Sequence, residues 1–205
     1  MTPATSSKVA LFSTSTTSNE FQLAPTINAR AGTKVAPITN LGTPIQFDFW
    51  NEVFTCPFHP RAFSGEARIG TVLNLPDRAA TVLRHFEETL RAFVTKHSET
   101  IFGASMGADT VASRHVSILR TSRDGHPQGK FKVDSGGRNP VRIWTNGGKD
   151  LRALDEVTLD GSDIQVVAVF RGIWISSDGQ WGANALITDM LMSTRTPICP
   201  WNTGA

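Results

Sequence analysis

The chain has 205 residues, of which 40% are hydrophobic and 19% charged, enough apolar material for the core of one domain with small additions. Its total charge of +2 is unremarkable, and no run approaches the about 18 consecutive apolar residues that a membrane span requires, so the sequence points away from a membrane protein. Cys56 and Cys199 stand alone, without the spacing of a disulfide framework or a zinc site, and indicate a reducing intracellular compartment rather than secretion.

Residues 1–20 are rich in Ser and Thr, with no acid before Glu20, and read as a disordered or loose N-terminal arm. A single domain is expected over 21–192, followed by a tail over 193–205. Between 21 and 75 the chain reads as irregular and extended, punctuated by Pro25, Pro37 and Pro44. Ile45-Gln-Phe-Asp-Phe49 alternates with its apolar side chains on one face, and Ala67–Asn74 is a further strand candidate. Phe54, Phe58 and Phe63 lie between them and read as core. After Pro76-Asp77, apolar residues recur at Ala79, Val82, Leu83, Phe86, Leu90, Phe93 and Val94, which predicts one long amphipathic helix over 76–102. Pro76 and Asp77 suit its first turn.

From His115 onward the period becomes two. Strand candidates are Val116–Leu119, Lys130–Val133, Val141–Trp144, Val157–Leu159, Ile164–Phe170, Gly172–Ile175 and Ala183–Ile187. Clusters of Gly, Asp, Asn, Ser and Pro separate them, and Ser177-Asp178-Gly179 marks a hairpin with Trp181 opening the return strand. Short strands at this spacing indicate a mainly β fold, either a sandwich or a small barrel.

The charge is unevenly distributed. Residues 114–152 carry nine Lys and Arg against three Asp, a net of +6, whereas 153–205 carry a net of −4. A basic block of this kind suits a polyanion partner. Convergent catalytic groups are absent from the pattern: the five histidines form no HxH or HExxH arrangement, no glycine pair has phosphate-loop context, and no nucleophile elbow appears. The expectation is therefore a non-enzymatic protein without a metal or cofactor.

Single-stranded nucleic acid is held by a basic groove and by aromatic rings on which bases stack, and the second half of the chain interleaves the two. The candidate binding residues are Arg120, Arg123, Lys130, Lys132, Arg138, Arg142, Lys149 and Arg171 for phosphates, with Trp144, Trp174 and Trp181 for bases. Alternation puts Lys130 and Lys132 on one face with Phe131 on the other, and puts Arg142 beside Trp144. Trp144 and Trp174 fit a partly buried core position equally well, while the place of Trp181 next to the turn predicts an exposed ring.

The order of parts is similar to a known family. Val116-Ser-Ile-Leu-Arg-Thr-Ser-Arg-Asp-Gly-His-Pro-Gln-Gly-Lys-Phe-Lys-Val133 is a Pro-containing turn before a basic strand. Gly161-Ser162-Asp163-Ile164 and Trp181-Gly182-Ala183-Asn184-Ala185-Leu186 then frame an aromatic hairpin. This layout, over about residues 45–192, resembles the OB-fold single-stranded DNA-binding proteins of podovirus-type phages and of the large DNA viruses of algae. The resemblance implies a five-stranded barrel with a helix across it and peripheral strands. It also implies binding of single-stranded DNA with little sequence preference, in replication, recombination or repair. Lys130, Lys132 and Arg142 would fall on its basic strands and Trp174 on its hairpin.

RNA offers the same phosphates and ring faces, replication proteins and a second copy of the chain are further expected partners, and the expected place is the nucleus or cytoplasm of a virus-infected cell, or an organelle. One departure is the C-terminal segment, which keeps an aromatic in Trp201 but has no acid after Asp189, so the partner recruitment that the resemblance attaches to an acidic tail is not expected of it. A coat-like β-sandwich that self-assembles around a genome is the rival reading, since it also accounts for the Ser/Thr-rich arm and the basic block.

Overall fold

The computed structural model of the chain describes residues 9–25, 27–28, 33–60, 68–136 and 139–193. The first strands are short: β1 (Ala10–Phe12), β2 (Phe21–Leu23), β3 (Ile27–Asn28), β4 (Lys34–Ala36), β5 (Ile38–Asn40), β6 (Ile45–Phe47) and β7 (Phe54–Cys56). Pro25, Pro37, Pro44 and Pro57 fall between or directly after them, and each removes a ladder donor. β8 (Arg68–Asn74) then leads through Pro76 into α1 (Asp77–Lys96), with Asp77 in its first turn and Lys96 in its last, as the helix dipole favours. α2 (Ser98–Phe102) and α3 (Ala108–Ser113) follow.

The expected single helix over 76–102 is broken at His97, whose φ of −109° and ψ of 18° are not helical. β9 (His115–Val116), β10 (Leu119–Thr121), β11 (Pro127–Asp134), β12 (Arg142–Thr145) and β13 (Asp150–Arg152) precede the two longest strands, β14 (Ser162–Ile175) and β15 (Trp181–Met192). Val157–Leu159 is not a strand.

The barrel closes through β14, β7, β8, β11 and β15, with β15 returning to β14. Four of these contacts are antiparallel, and β11 with β15 is parallel. The fold is thus a mainly β, OB-like five-stranded barrel with peripheral strands and one long helix, and closure rules out the two-sheet sandwich of the rival reading. β14 and β15 form one long hairpin whose outer edges are divided among shorter strands. β9, β11 and β12 pair in turn along β15, and β7, β6 and β4 along β14. Length makes this sharing feasible, because no short strand here could hydrogen-bond three neighbours in succession.

Glycine has a steric role in that hairpin. Gly172 has φ +118°, and a Cβ there would collide with the Ala36 carbonyl oxygen, so only glycine lets β4 approach the bulge in β14.

The apolar stripe of α1 packs onto the barrel, with Ala79, Val82, Leu83, Phe86, Leu90, Phe93 and Val94 all buried. Phe86 meets Phe12, Phe47 and Phe170 edge-on at centroid separations of 5.1, 4.9 and 4.9 Å. Such contacts add about 0.5–1.5 kcal/mol each beyond burial, so Phe86 is the central knob of the helix–barrel interface. Within the expected arm, Phe12 is fully buried and β1 pairs with β6. Residues 1–8 and 194–205, which hold the rest of the expected arm and nearly all of the tail, lie outside the described residues.

Candidate functional site

The outward face of β8 and β11 is a ladder of matched pairs. Along β8, Ile69, Thr71 and Leu73 are buried while Arg68 and Gly70 are exposed; along β11, Phe131 and Val133 are buried while Lys130 and Lys132 are exposed. Lys130 lies opposite Val72 and Lys132 opposite Gly70. Alternation therefore holds both lysines on one side, with Phe131 beneath them in the core.

The two ends of this face are tied. At one end Arg68 Nε donates to Asp134 Oδ1 at 2.8 Å, a hydrogen bond that raises the Arg68 pKa above its usual value. At the other, Gln128 Nε2 donates to Asn74 Oδ1 at 2.6 Å, and Arg120 Nε donates to Gln128 Oε1 at 2.8 Å. Between these ties Lys130 and Lys132 make no ion pair among the described residues.

A cavity of about 410 Å³ opens on this face. Its walls are Gly70, Thr71 and Val72 of β8, Lys130, Phe131 and Lys132 of β11, Val116, Ser117 and Ile118 around β9 and β10, and Trp174, Ala183 and Ala185 of the long hairpin. Trp174 is half-buried and pairs with Gly182. A Cβ on Gly182 would lie 2.8 Å from Trp174 Cζ2 and 2.8 Å from the Val116 carbonyl oxygen, so the absence of a side chain there is what lets the indole lie against the strand. Three of the residues singled out from sequence, Lys130, Lys132 and Trp174, thus line one cavity.

The wall at Val116–Ile118 is held from behind by a buried carboxylate. Glu87 of α1 accepts the Ser117 hydroxyl at 2.8 and 2.7 Å and the Ile118 N–H at 2.6 Å. His115 Nε2 lies 3.7 Å from Glu87 Oε1 without a hydrogen bond, and its ring packs at a tilt against Trp181 with centroids 4.4 Å apart. Burial pushes the His115 pKa below its ordinary value, although Glu87 opposes this. Sequence reasoning passed over this support, because Glu87 sits among the charges of a helix that otherwise reads as solvated on that side.

The other predicted residues divide. Trp181 is a correction: it is fully buried, with Nε1 donating to the Val111 carbonyl at 2.9 Å, because α3 and β9 cover it. Arg142 and Trp144 do share a face, but both are committed to Asp189. Arg142 Nε lies 2.7 Å from Oδ1 and Nη2 2.8 Å from Oδ2, and Trp144 Nε1 donates to Oδ1 at 3.1 Å. The Asp189 hydrogen bond raises the Arg142 pKa above its usual value. Neither residue lines the cavity. Arg123 is exposed at the β10–β11 turn, Lys149 beside β13 and Arg171 on β14. Arg138 lies outside the described residues.

A second cavity, of about 360 Å³, is lined by Phe58, His59, Pro60 and Asp160 and shares Gly70, Thr71 and Val72 with the first. Phe58 is 68% exposed, which corrects its reading as core; Phe54 is fully buried as expected. Among the described residues no group of three or more His, Cys, Asp or Glu could hold a metal ion, and no helix is long and apolar enough to cross a membrane.

No family model and no curated protein matches the sequence. The chain is similar in structure to a C-terminally truncated single-stranded DNA-binding protein from bacteriophage Enc34, with a TM-score of 0.46 and 12% identity over 83% of this chain and 94% of that one. The same phage protein in complex with single-stranded DNA gives a TM-score of 0.44 and 13% identity over 84% and 95%. A single-stranded DNA-binding protein encoded by bacteriophage T7 gives 0.45 and 11% over 70% and 92%.

Proposed function

We propose that this protein binds single-stranded DNA without catalysing a reaction, covering transient single strands during replication, recombination or repair. The observation that carries the reading is the convergence of two exposed lysines, unpaired among the described residues, with one half-buried indole on a single cavity of the barrel face. In this reading Lys130 and Lys132 neutralise successive phosphates, and Trp174 offers its ring to a base. Arg120, oriented by Gln128, extends the positive face toward the β10–β11 turn, where Arg123 adds a further cation. The barrel strands supply a rigid floor, so little conformational entropy is lost when the flexible strand is captured.

Sequence preference is expected to be slight, because ring faces and phosphates are common to all nucleotides. Arg142, Trp144, Lys149 and Arg171 are outside this core contact set, and Trp181 has no part in it.

A fluorescence titration with oligo-dT tests the proposal. Micromolar or tighter binding at low salt, with quenched tryptophan emission, is the expected result. The logarithm of the affinity should fall against the logarithm of salt with a slope of about −2.8 if all four cations are engaged, since each phosphate neutralised on a single strand contributes about −0.7. Trp174→Phe should abolish most of the quench while the protein remains folded. An absence of binding at low salt overturns the reading. Repeating the titration with oligo-rU reads whether the sugar matters, which stacking and phosphate contacts alone do not decide.

A further inference from the structure

The geometry points to a second base-stacking subsite at Phe58, continuous with the first cavity across β8, so that one strand of DNA crosses the barrel from Trp174 to Phe58. This inference rests on the single-strand-binding reading and names a residue that reading does not contain. Large apolar side chains are normally buried, yet Phe58 is 68% exposed on a segment bound to the barrel.

Its backbone is fixed on both sides. Cys56 Sγ donates to the Phe58 carbonyl at 3.1 Å, the His59 N–H donates to Asp160 Oδ1, and the Leu159 N–H donates to His59 Nδ1 at 3.4 Å. The ring is therefore presented by a held element. Asp160 is the one carboxylate on this cavity among the described residues, and one of its oxygens accepts from a backbone donor of the Phe58 segment. The second cavity carries no lysine or arginine among the described residues, so its chemistry suits a base rather than a phosphate.

Continuity comes from β8. Gly70, Thr71 and Val72 line both cavities, and Gly70 lies opposite Lys132. A Cβ on exposed Gly70 would meet nothing within 4 Å, so the surface between the two cavities is open at this position among the described residues. Among the described residues, a chain whose phosphate is held by Lys132 has an open route over Gly70 toward the Phe58 ring.

The test measures the affinity of the full chain for short and long oligo-dT. Phe58→Ala should weaken binding of a long oligomer roughly 5- to 150-fold, the range for loss of one stacked base, and leave a dinucleotide unaffected. Phe58→Trp should restore long-oligomer affinity and add a quenchable emission in a Trp174→Phe background. Gly70→Leu should bring the long-oligomer affinity down toward that of the short one. Neither position is buried, so thermal melts should match the parent chain. Wild-type binding that Phe58→Ala leaves unchanged, while Lys130→Ala weakens it, overturns the subsite alone. Failure of the wild type to bind any oligo-dT overturns the underlying reading as well.

Discussion

The β8–β11 face and the β12 strand carry the same local signature, a basic residue and an aromatic within a few positions on a strand, and they differ in what lies opposite. Lys130 and Lys132 face the glycine and valine of β8, so their charges have no counterpart there. Arg142 and Trp144 face β15 where it carries Asp189, and one carboxylate takes both donors. A positive strand becomes a polyanion site only if the neighbouring strand leaves its charge unanswered. The partner that decides this lies 47 positions from Arg142 in sequence, and local pattern says nothing about it.

The largest effect that would break this comparison is on the lysines. Lys130→Ala with Lys132→Ala should lower oligo-dT affinity about 30-fold at low salt, at about 1 kcal/mol per charge-assisted contact after solvent screening. The salt slope should become shallower by about 1.4, the share of two phosphates. Arg142→Ala should change the affinity by less than about twofold. Equal losses on the two strands, read in the same titration, would remove the distinction between them.

A second contrast separates two carboxylates. Asp189 pairs with the exposed Arg142, whereas Glu87 is buried and braces the cavity wall through Ser117 and Ile118. Glu87→Ala leaves those donors without their acceptor and should cost about 2–4 kcal/mol, seen as a lowered Tm. Its neighbour His115 adds a pH dependence. The folded state holds the imidazole below its ordinary pKa of 6.5, mainly by desolvation and also through Arg91. As pH falls through 6.5 the unfolded chain takes up a proton that the folded chain declines, so stability is full above that value and is lost progressively below it, down to the folded pKa. Thermal melts across that range should show this loss, and His115→Gln should reduce it. An unchanged profile in His115→Gln would show that other groups carry the acid sensitivity.

What sequence could reveal follows the range of the interactions. Period two in Lys130–Val133 was enough to put the two lysines outward and Phe131 inward, because alternation is a property of one strand. The 3.6 period of α1 was as plain, up to His97. Trp181 misled because proximity to a turn is a local cue, while its burial is the work of Val111 and His115 on elements far away in sequence. Phe58 misled in the opposite sense, since nothing near it in sequence indicates that the barrel leaves it uncovered. Gly172 reads as an ordinary small residue until β4 is seen against it. Topology, and not pattern, decided each of these.

The smallest expected effect is also the sharpest. Asp189→Asn keeps Oδ1 as an acceptor for Trp144 but removes the second acceptor and the negative charge that hold Arg142, and the fold should be nearly unaffected, with Arg142 58% exposed and solvent screening the lost attraction. If the carboxylate is what separates the two strands, the released guanidinium should recruit a phosphate. Oligo-dT affinity would then rise about two- to threefold at low salt, the gain would vanish at high salt, and the salt slope would steepen by up to about 0.7. An affinity that stays the same would mean that β12 lies away from the path of the strand, so that position rather than charge compensation distinguishes it. Combining Asp189→Asn with Arg142→Ala decides between them, because a gain carried by Arg142 must disappear in the double variant.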